Sequence, residues 1–393
     1  MTSRLPLEIW GLVCEQLADE NFREPGDPTS TLVGNNAEAR RALRALCEVS
    51  RGIAHVAQPA LFRTYDFGEG LNDGKKHVRF LRSVLDNARL AASVRAVVLD
   101  HWIHEIDADE QAEMYGRLAD RLGFDTAVYP LGELERVGEH GLPQRVPTVI
   151  LLLLPLLPNL QYLTMTTRHE EHALEFLGRL HRAGTIRPFA SVVQLGLCHG
   201  DTEMGFDVLT NGPLLALTPN VTTMRLTQCR GVGSDEADDN GQAMQRKLQQ
   251  CMPPGVRNLS LDYCNLEHPD LRALLACCPR LERFSYSSGG CSVDEANREV
   301  SNRRLVAALA PAKATLRRVA LDFDYASREL DEDDDDEDDE DEDGDDANKD
   351  ELTHESFADF PVLEKVTYGG EVIFRSPRQV GEGDNNVGDV GSE

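Results

Sequence analysis

The stretch Pro254 to Leu266 reads PGVRNLSLDYCNL. Its apolar residues fall as Val256-x-x-Leu259-x-Leu261-x-x-Cys264-x-Leu266. The step of two from Leu259 to Leu261 is the period of a strand with alternate side chains turned inward. The residues that follow predict a turn tucking a small sulfur side chain beneath the chain. A strand this short buries too little apolar surface to stand alone, so the pattern acquires meaning only where it recurs.

Weaker copies lie on both sides. They are Val94-x-x-Val97-x-Leu99, Leu160-x-x-Leu163-x-Met165, Val192-x-x-Leu195-x-Leu197 and Val221-x-x-Met224-x-Leu226-x-x-Cys229 before it, then Leu281-x-x-Phe284-x-Tyr286, Leu316-x-x-Val319-x-Leu321 and Leu363-x-x-Val366-x-Tyr368. A proline precedes most of them, and apolar-periodic helices are expected between them, clearest at 269–278 and 303–310. The intervals between the last strand residues are 66, 32, 29, 35, 25, 35 and 47. The two long ones contain 107–142, with a helix expected near Glu110 to Leu122, and an acidic run. Both segments read as insertions.

This array resembles a leucine-rich repeat solenoid of irregular, long period. The resemblance implies strand, turn and helix repeated, each unit burying its apolar face against its neighbours in one curved sheet. A doubly wound parallel sheet also alternates strand and helix. That fold calls for a ligand loop such as G-x-G-x-x-G at a strand end, and none follows these strands.

The N-terminal region reads differently. In LPLEIWGLVCEQL, residues 5–17, Leu5, Ile9, Leu12, Val13, Gln16 and Leu17 form one stripe at helical spacing, with Pro6 suited to a first turn. Residues 19–36 read as a loop. Residues 37–50 predict a second helix, and Ile53, Val56 and Ala57 a third that Pro59 ends.

The series Leu5-Pro6-x-Glu8-Ile9, Leu17, Leu46-Cys47-x-Val49-Ser50-Arg51 and Pro59-x-Leu61-Phe62-Arg63 resembles an F-box, especially the form common in fungal proteins. The loop at 19–36 is longer than that family's usual connection. The resemblance implies docking on the Skp-type adaptor of a cullin–RING ubiquitin ligase, with Leu5, Pro6, Ile9, Leu17, Leu46 and Val49 on or under the adaptor-facing surface. The expected architecture is thus α/β: a small F-box-like helical module over 1–66, a repeat solenoid over 67–375 with insertions at 107–142 and 326–352, and a disordered tail over 376–393.

Composition bounds the function. Net charge is −28, but sixteen of the eighteen residues from Glu329 to Asp346 are acidic. The rest of the chain carries −12 and remains acidic, which disfavours nucleic-acid phosphate as a partner. The nine cysteines show no C-x-x-C and no zinc spacing, as expected of buried thiols in a reducing compartment, cytosol or nucleus. The longest apolar run, Val149 to Leu157, is far shorter than the ~20 residues of a membrane span.

Chemistry-bearing motifs were sought without success. His169-Glu-Glu-His172 spaces its histidines by three rather than four and offers no third ligand. His101 and His104 flank Trp102 but lack partners. No G-x-S-x-G, P-loop or Cys–His constellation is present. The expectation is a protein without enzymatic activity or cofactor that binds other proteins.

Stacking the copies in register gives a column Ala96, Tyr162, Gln194, Thr223, Asn258, Arg283, Arg318, Lys365 facing away from the core. The next outward column contains Arg225. Tyr162, Arg225, Arg283, Arg318 and Lys365 are the candidate target-binding residues, and the basic drift suits an acidic or phosphorylated ligand. The acidic run 329–346 supports a different reading, an acidic repeat scaffold or histone-chaperone-like protein that attracts basic partners electrostatically.

Overall fold

The structure, a computed structural model, describes residues 5–21, 37–67, 74–99, 106–134, 148–167, 171–199, 205–231, 242–288, 302–322 and 354–375. The acidic run, the expected insertion at 326–352 and the tail at 376–393 lie outside the described residues, as do His101, His104 and His169.

Three helices open the chain: α1 (Leu7–Asn21), α2 (Ala37–Val49) and α3 (Arg51–Leu61). They share a small core of Cys14, Ala18, Leu43, Ala57 and Ala60. Ser50 caps α3 by accepting a hydrogen bond from the Ile53 N–H at 3.2 Å. Pro59 does not end this helix, contrary to expectation, since α3 runs on to Leu61. Proline removes the N–H that would bond the His55 carbonyl four residues earlier. Arg89 supplies the replacement, donating from Nη2 to that oxygen at 3.0 Å.

The remaining elements alternate. They are β1 (Thr64–Asp66), α4 (Gly74–Asp86), α5 (Ala88–Ala91), β2 (Ala96–Leu99), α6 (Ala108–Leu122), α7 (Leu131–Leu134), α8 (Thr148–Leu151), β3 (Tyr162–Thr167), α9 (Glu171–Arg182) and β4 (Gln194–His199). There follow β5 (Phe206–Asp207), α10 (Gly212–Leu217), β6 (Thr223–Thr227), β7 (Cys229–Gly231), α11 (Gln242–Cys251), β8 (Asn258–Cys264), α12 (His268–Ala276), β9 (Arg283–Ser288), α13 (Asn302–Leu309), β10 (Arg318–Asp322), β11 (Lys365–Tyr368) and β12 (Glu371–Arg375).

Among the described residues ten strands form one sheet whose order follows the chain: β1-β2-β3-β4-β6-β8-β9-β10-β11-β12. All neighbours are parallel except β11 and β12. β5 and β7 form a separate parallel ribbon. The protein is therefore mixed α/β around a large parallel sheet.

The register joins equivalent residues. Leu259 of the opening stretch pairs with Met224 on one side and Phe284 on the other, and Leu163 pairs with Leu195. Val256, Leu259, Leu261, Cys264 and Leu266 are all buried, as are their counterparts from Val94 to Val366. One bonding pattern marks every step between consecutive parallel strands. The Arg257 carbonyl accepts from the N–H groups of both Glu282 and Arg283, and Arg63, Arg95, Gln161, Val193, Thr222, Glu282 and Arg317 each do the same for the next strand.

Side chains add a second link. Asn159 donates to the Ala92 carbonyl at 2.7 Å, Ser191 to Pro158 at 2.6 Å and Asn220 to Ala190 at 2.8 Å. Each donor precedes the first inward residue of its copy, and each acceptor lies two residues before that residue in the preceding copy. The polar groups between copies are thereby satisfied by the copies themselves.

Helix α6, within the expected insertion at 107–142, packs into the main core: Met114 and Leu118 are fully buried beside α4 and α8. The boundary at 66 also moves, because Thr64–Asp66 pair with Ala96–Val98 as the first strand of the sheet. Phe62-x-x-Tyr65-x-Phe67 is the missing first copy, with aromatic residues where the others carry aliphatic ones. Tyr65 stacks on Phe80 at 3.5 Å between centroids, and Phe67 meets His77 at 5.0 Å.

Candidate functional site: two exposed surfaces

Helix α1 buries Cys14 and Ala18 and exposes most of its aliphatic residues. Cys14 and Ala18 face α2 and α3, while Leu5, Leu7, Ile9, Leu12 and Val13 remain 39–62% exposed. At 3.6 residues per turn, Ile9, Leu12 and Val13 lie on the far side of the helix from the Cys14–Ala18 line. Small residues let α1 approach its neighbours closely, and the aliphatic stripe turns away from that contact. Val49, at the end of α2, is 63% exposed. Leu7 lies instead in line with Cys14 and Ala18, toward α3, where its Cδ2 comes 3.5 Å from the point where a Cβ on Gly52 would stand.

Of the expected adaptor-facing residues, Leu5, Pro6, Ile9 and Val49 are exposed. Leu17 and Leu46 are half-buried and pack against the core of the three helices. They support the surface from beneath. Leu12 and Val13 lie on the same face of α1 as Ile9, and their exposure is the signal that identifies them.

The module is tied to the sheet at several points. Arg63, just before β1, forms an ion pair with Asp19 of α1. Arg40 of α2 is buried; burial and Arg44 lower its pKa, while Asp66 at the end of β1 opposes the shift.

The second surface is the sheet face opposite the helices. Parallel sheets are ordinarily covered on both faces. Here Tyr162, Gln194, Thr223, Asn258 and Lys365 are half-buried, and Arg283 and Arg318 exposed, on the face away from the core. They occupy one continuous row: Tyr162 pairs with Gln194, Gln194 with Thr223, Thr223 with Asn258, Asn258 with Arg283, Arg283 with Arg318, and Arg318 with Lys365.

The candidate target-binding residues divide on this face. Arg283, Arg318 and Lys365 stand side by side on β9, β10 and β11. Tyr162 lies four strands away from Arg283, roughly 19 Å at ~4.8 Å per strand. Arg225, in the next row, is an ion-pair partner of Asp262, with side chains only 20% and 11% exposed. Ser260 donates to the other Asp262 oxygen at 2.7 Å and meets Ser285 at 2.8 Å. Arg225 is thus a member of a side-chain network.

Among the described residues no three His, Cys, Asp or Glu side chains converge as metal ligands. Burial pushes the Cys277 thiol up to about 11 and Cys278 up to about 12, which keeps both protonated and unreactive. Asp270, in the first turn of α12, is raised to about 6 by burial, with Glu267 and Asp207 adding like charge. Its carboxylate and that of Asp207 flank Gly231, where an added Cβ would stand 3.6 Å and 2.7 Å from them. Among the described residues no helix is long and apolar enough to cross a membrane. Neither a family model nor a curated protein matches the chain.

Proposed function

We propose that this chain is a substrate receptor without enzymatic activity of its own. In this reading its N-terminal helices dock on the Skp-type adaptor of a cullin ubiquitin ligase, and the open sheet of a leucine-rich repeat solenoid takes the target protein. The observation that carries the reading is the exposed aliphatic face of α1 on the N-terminal three-helix module. An apolar surface of this kind marks a protein contact. Each half-exposed aliphatic side chain that becomes buried there contributes about 1 kcal/mol.

The solenoid reading is supported by the recurring bifurcated bonds and the Asn and Ser links between copies. The mechanism is proximity. The adaptor side fixes the chain to the ligase, the sheet side holds the target, and the local concentration of target lysines rises at the ligase's active site. Cytosol and nucleus are the compartments where this would take place.

A pull-down of the purified chain with a Skp-type adaptor tests the proposal. Stoichiometric capture is expected, lost on the double change Leu5→Ala and Pro6→Ala and kept on deletion of 329–346. A folded chain that captures no adaptor, yet holds a basic protein such as a histone through 329–346, would replace this reading with the acidic-scaffold one.

A further inference from the structure

The outward row that begins at Ala96 changes character at β9. From Ala96 to Asn258 it carries no charge. From β9 to β12 every register position is basic: Arg283 pairs with Arg318, Arg318 with Lys365, and Lys365 with Arg375. Like charges placed directly opposite each other destabilise a sheet. Four basic residues in consecutive register, in a chain whose net charge is −28, call for a compensating anion.

The neighbouring carboxylates do not supply it in full. Glu282 is engaged by Arg257 at 3.1 Å. Glu364 bonds Arg317 at 2.9 Å and reaches Arg318 only at 3.7 Å. Arg283 and Lys365 have no ion pair among the described residues. Asp322, exposed on the outward face of β10, lies four residues along the strand from Arg318, roughly 13 Å away.

We infer that the row Arg283–Arg318–Lys365 is a binding surface for an Asp/Glu-rich extended segment of a partner protein, running across the strands. The spacing selects this ligand. One basic residue every ~4.8 Å extends over about 10 Å, the length of about three residues of extended chain. A phosphate dianion is best held by several donors converging on one point, and this arrangement is linear. A series of single carboxylates matches it, with guanidinium groups able to take each one bidentately.

The inference rests on the reading of the open sheet as the target surface, and it is independent of adaptor docking. It deepens that reading by naming the chemistry of the target at one end of the face.

Fluorescence anisotropy with a labelled Glu-rich peptide long enough to span the row, titrated with the full-length chain, tests it. The triple change Arg283→Gln, Arg318→Gln and Lys365→Gln is expected to weaken binding about tenfold or more. Arg246→Gln with Lys247→Gln, on α11 in the helical layer, is expected to leave binding unchanged. Shortening the Debye length from ~10 Å to ~3 Å with salt should weaken the wild-type interaction. Thermal unfolding of the triple variant at or above the wild-type temperature would confirm that it is folded.

Unchanged affinity in the folded triple variant would overturn the inference. So would tighter binding of a single-stranded oligonucleotide than of the peptide. Peptide binding that emerges only after deletion of 329–346 would overturn the partner assignment in favour of the chain's own acidic segment. Adaptor capture by the triple variant, measured in parallel, separates failure here from failure of the receptor reading.

Discussion

Arg225 on β6 donates from Nε to Asp262 on β8, an ion pair between neighbouring strands at the centre of the open sheet face. Asp262 also accepts from Ser260, which meets Ser285 on β9. The network spans three strands, and both charges are largely withdrawn from water. Asp262→Ala removes this ion pair at a mostly buried site. It is expected to cost about 2 kcal/mol, less than the ~3–5 kcal/mol of a fully buried pair because Arg225 keeps some exposure. Urea denaturation measures it, and Asp262→Asn, which retains an acceptor, should cost less.

Asp270 makes stability depend on pH. Its carboxyl titrates near 6 in the folded protein, against an ordinary value of 3.8. A raised folded-state value means that the folded state holds the proton more tightly than the unfolded one. The contribution of Asp270 to stability is therefore fullest below about 4, declines as pH rises through 6 and then levels off. Two units correspond to roughly 3 kcal/mol. Asp270→Asn should thus stabilise the protein near pH 8 by an amount of that order, with the gain vanishing near pH 4. Denaturation midpoints of both proteins across this range are the check.

The links between copies have a separate signature. Asn220→Ala removes a 2.8 Å bond to the Ala190 carbonyl, and Asn159→Ala the equivalent bond to Ala92. Each is expected to cost about 1 kcal/mol. Leu259→Ala, which empties a buried inward position, should cost about 2–5 kcal/mol. Chemical denaturation of the three variants ranks them.

The strand register was legible because alternate residues of a half-covered sheet obey a period of two, and the outward columns follow once one inward pair is placed. The first strand escaped notice for a chemical reason: Phe62, Tyr65 and Phe67 repeat the pattern with aromatic rings, so an aliphatic template misses them. The final hairpin carried a readable sign in Gly369-Gly370, whose φ angles of 54° and 83° suit the two-residue turn between β11 and β12.

Periodicity alone did not show which stripe of α1 meets its neighbours. Leu5, Ile9, Leu12 and Val13 make the more apolar stripe, yet close packing selects Cys14 and Ala18, whose size lets three helices meet. The Arg225–Asp262 pair, 37 residues apart in sequence, depends on two neighbouring strands and could be seen only with their side chains in place.

Exposure of the α1 stripe separates binding from stability. Leu12 is 62% exposed, so Leu12→Asp should change stability by no more than about 0.5 kcal/mol. Leu43→Ala, in the buried core of the same module, should cost about 2–5 kcal/mol. Thermal unfolding of the two variants distinguishes a surface from a core.

Calorimetric titration of the full-length chain with a Skp-type adaptor, using wild type and the Ile9→Asp/Leu12→Asp variant, tests the central claim most directly. The account predicts one-to-one binding by the wild type and no measurable heat from an equally stable variant. Equal affinity in both proteins, or no binding by a folded wild type, would contradict it.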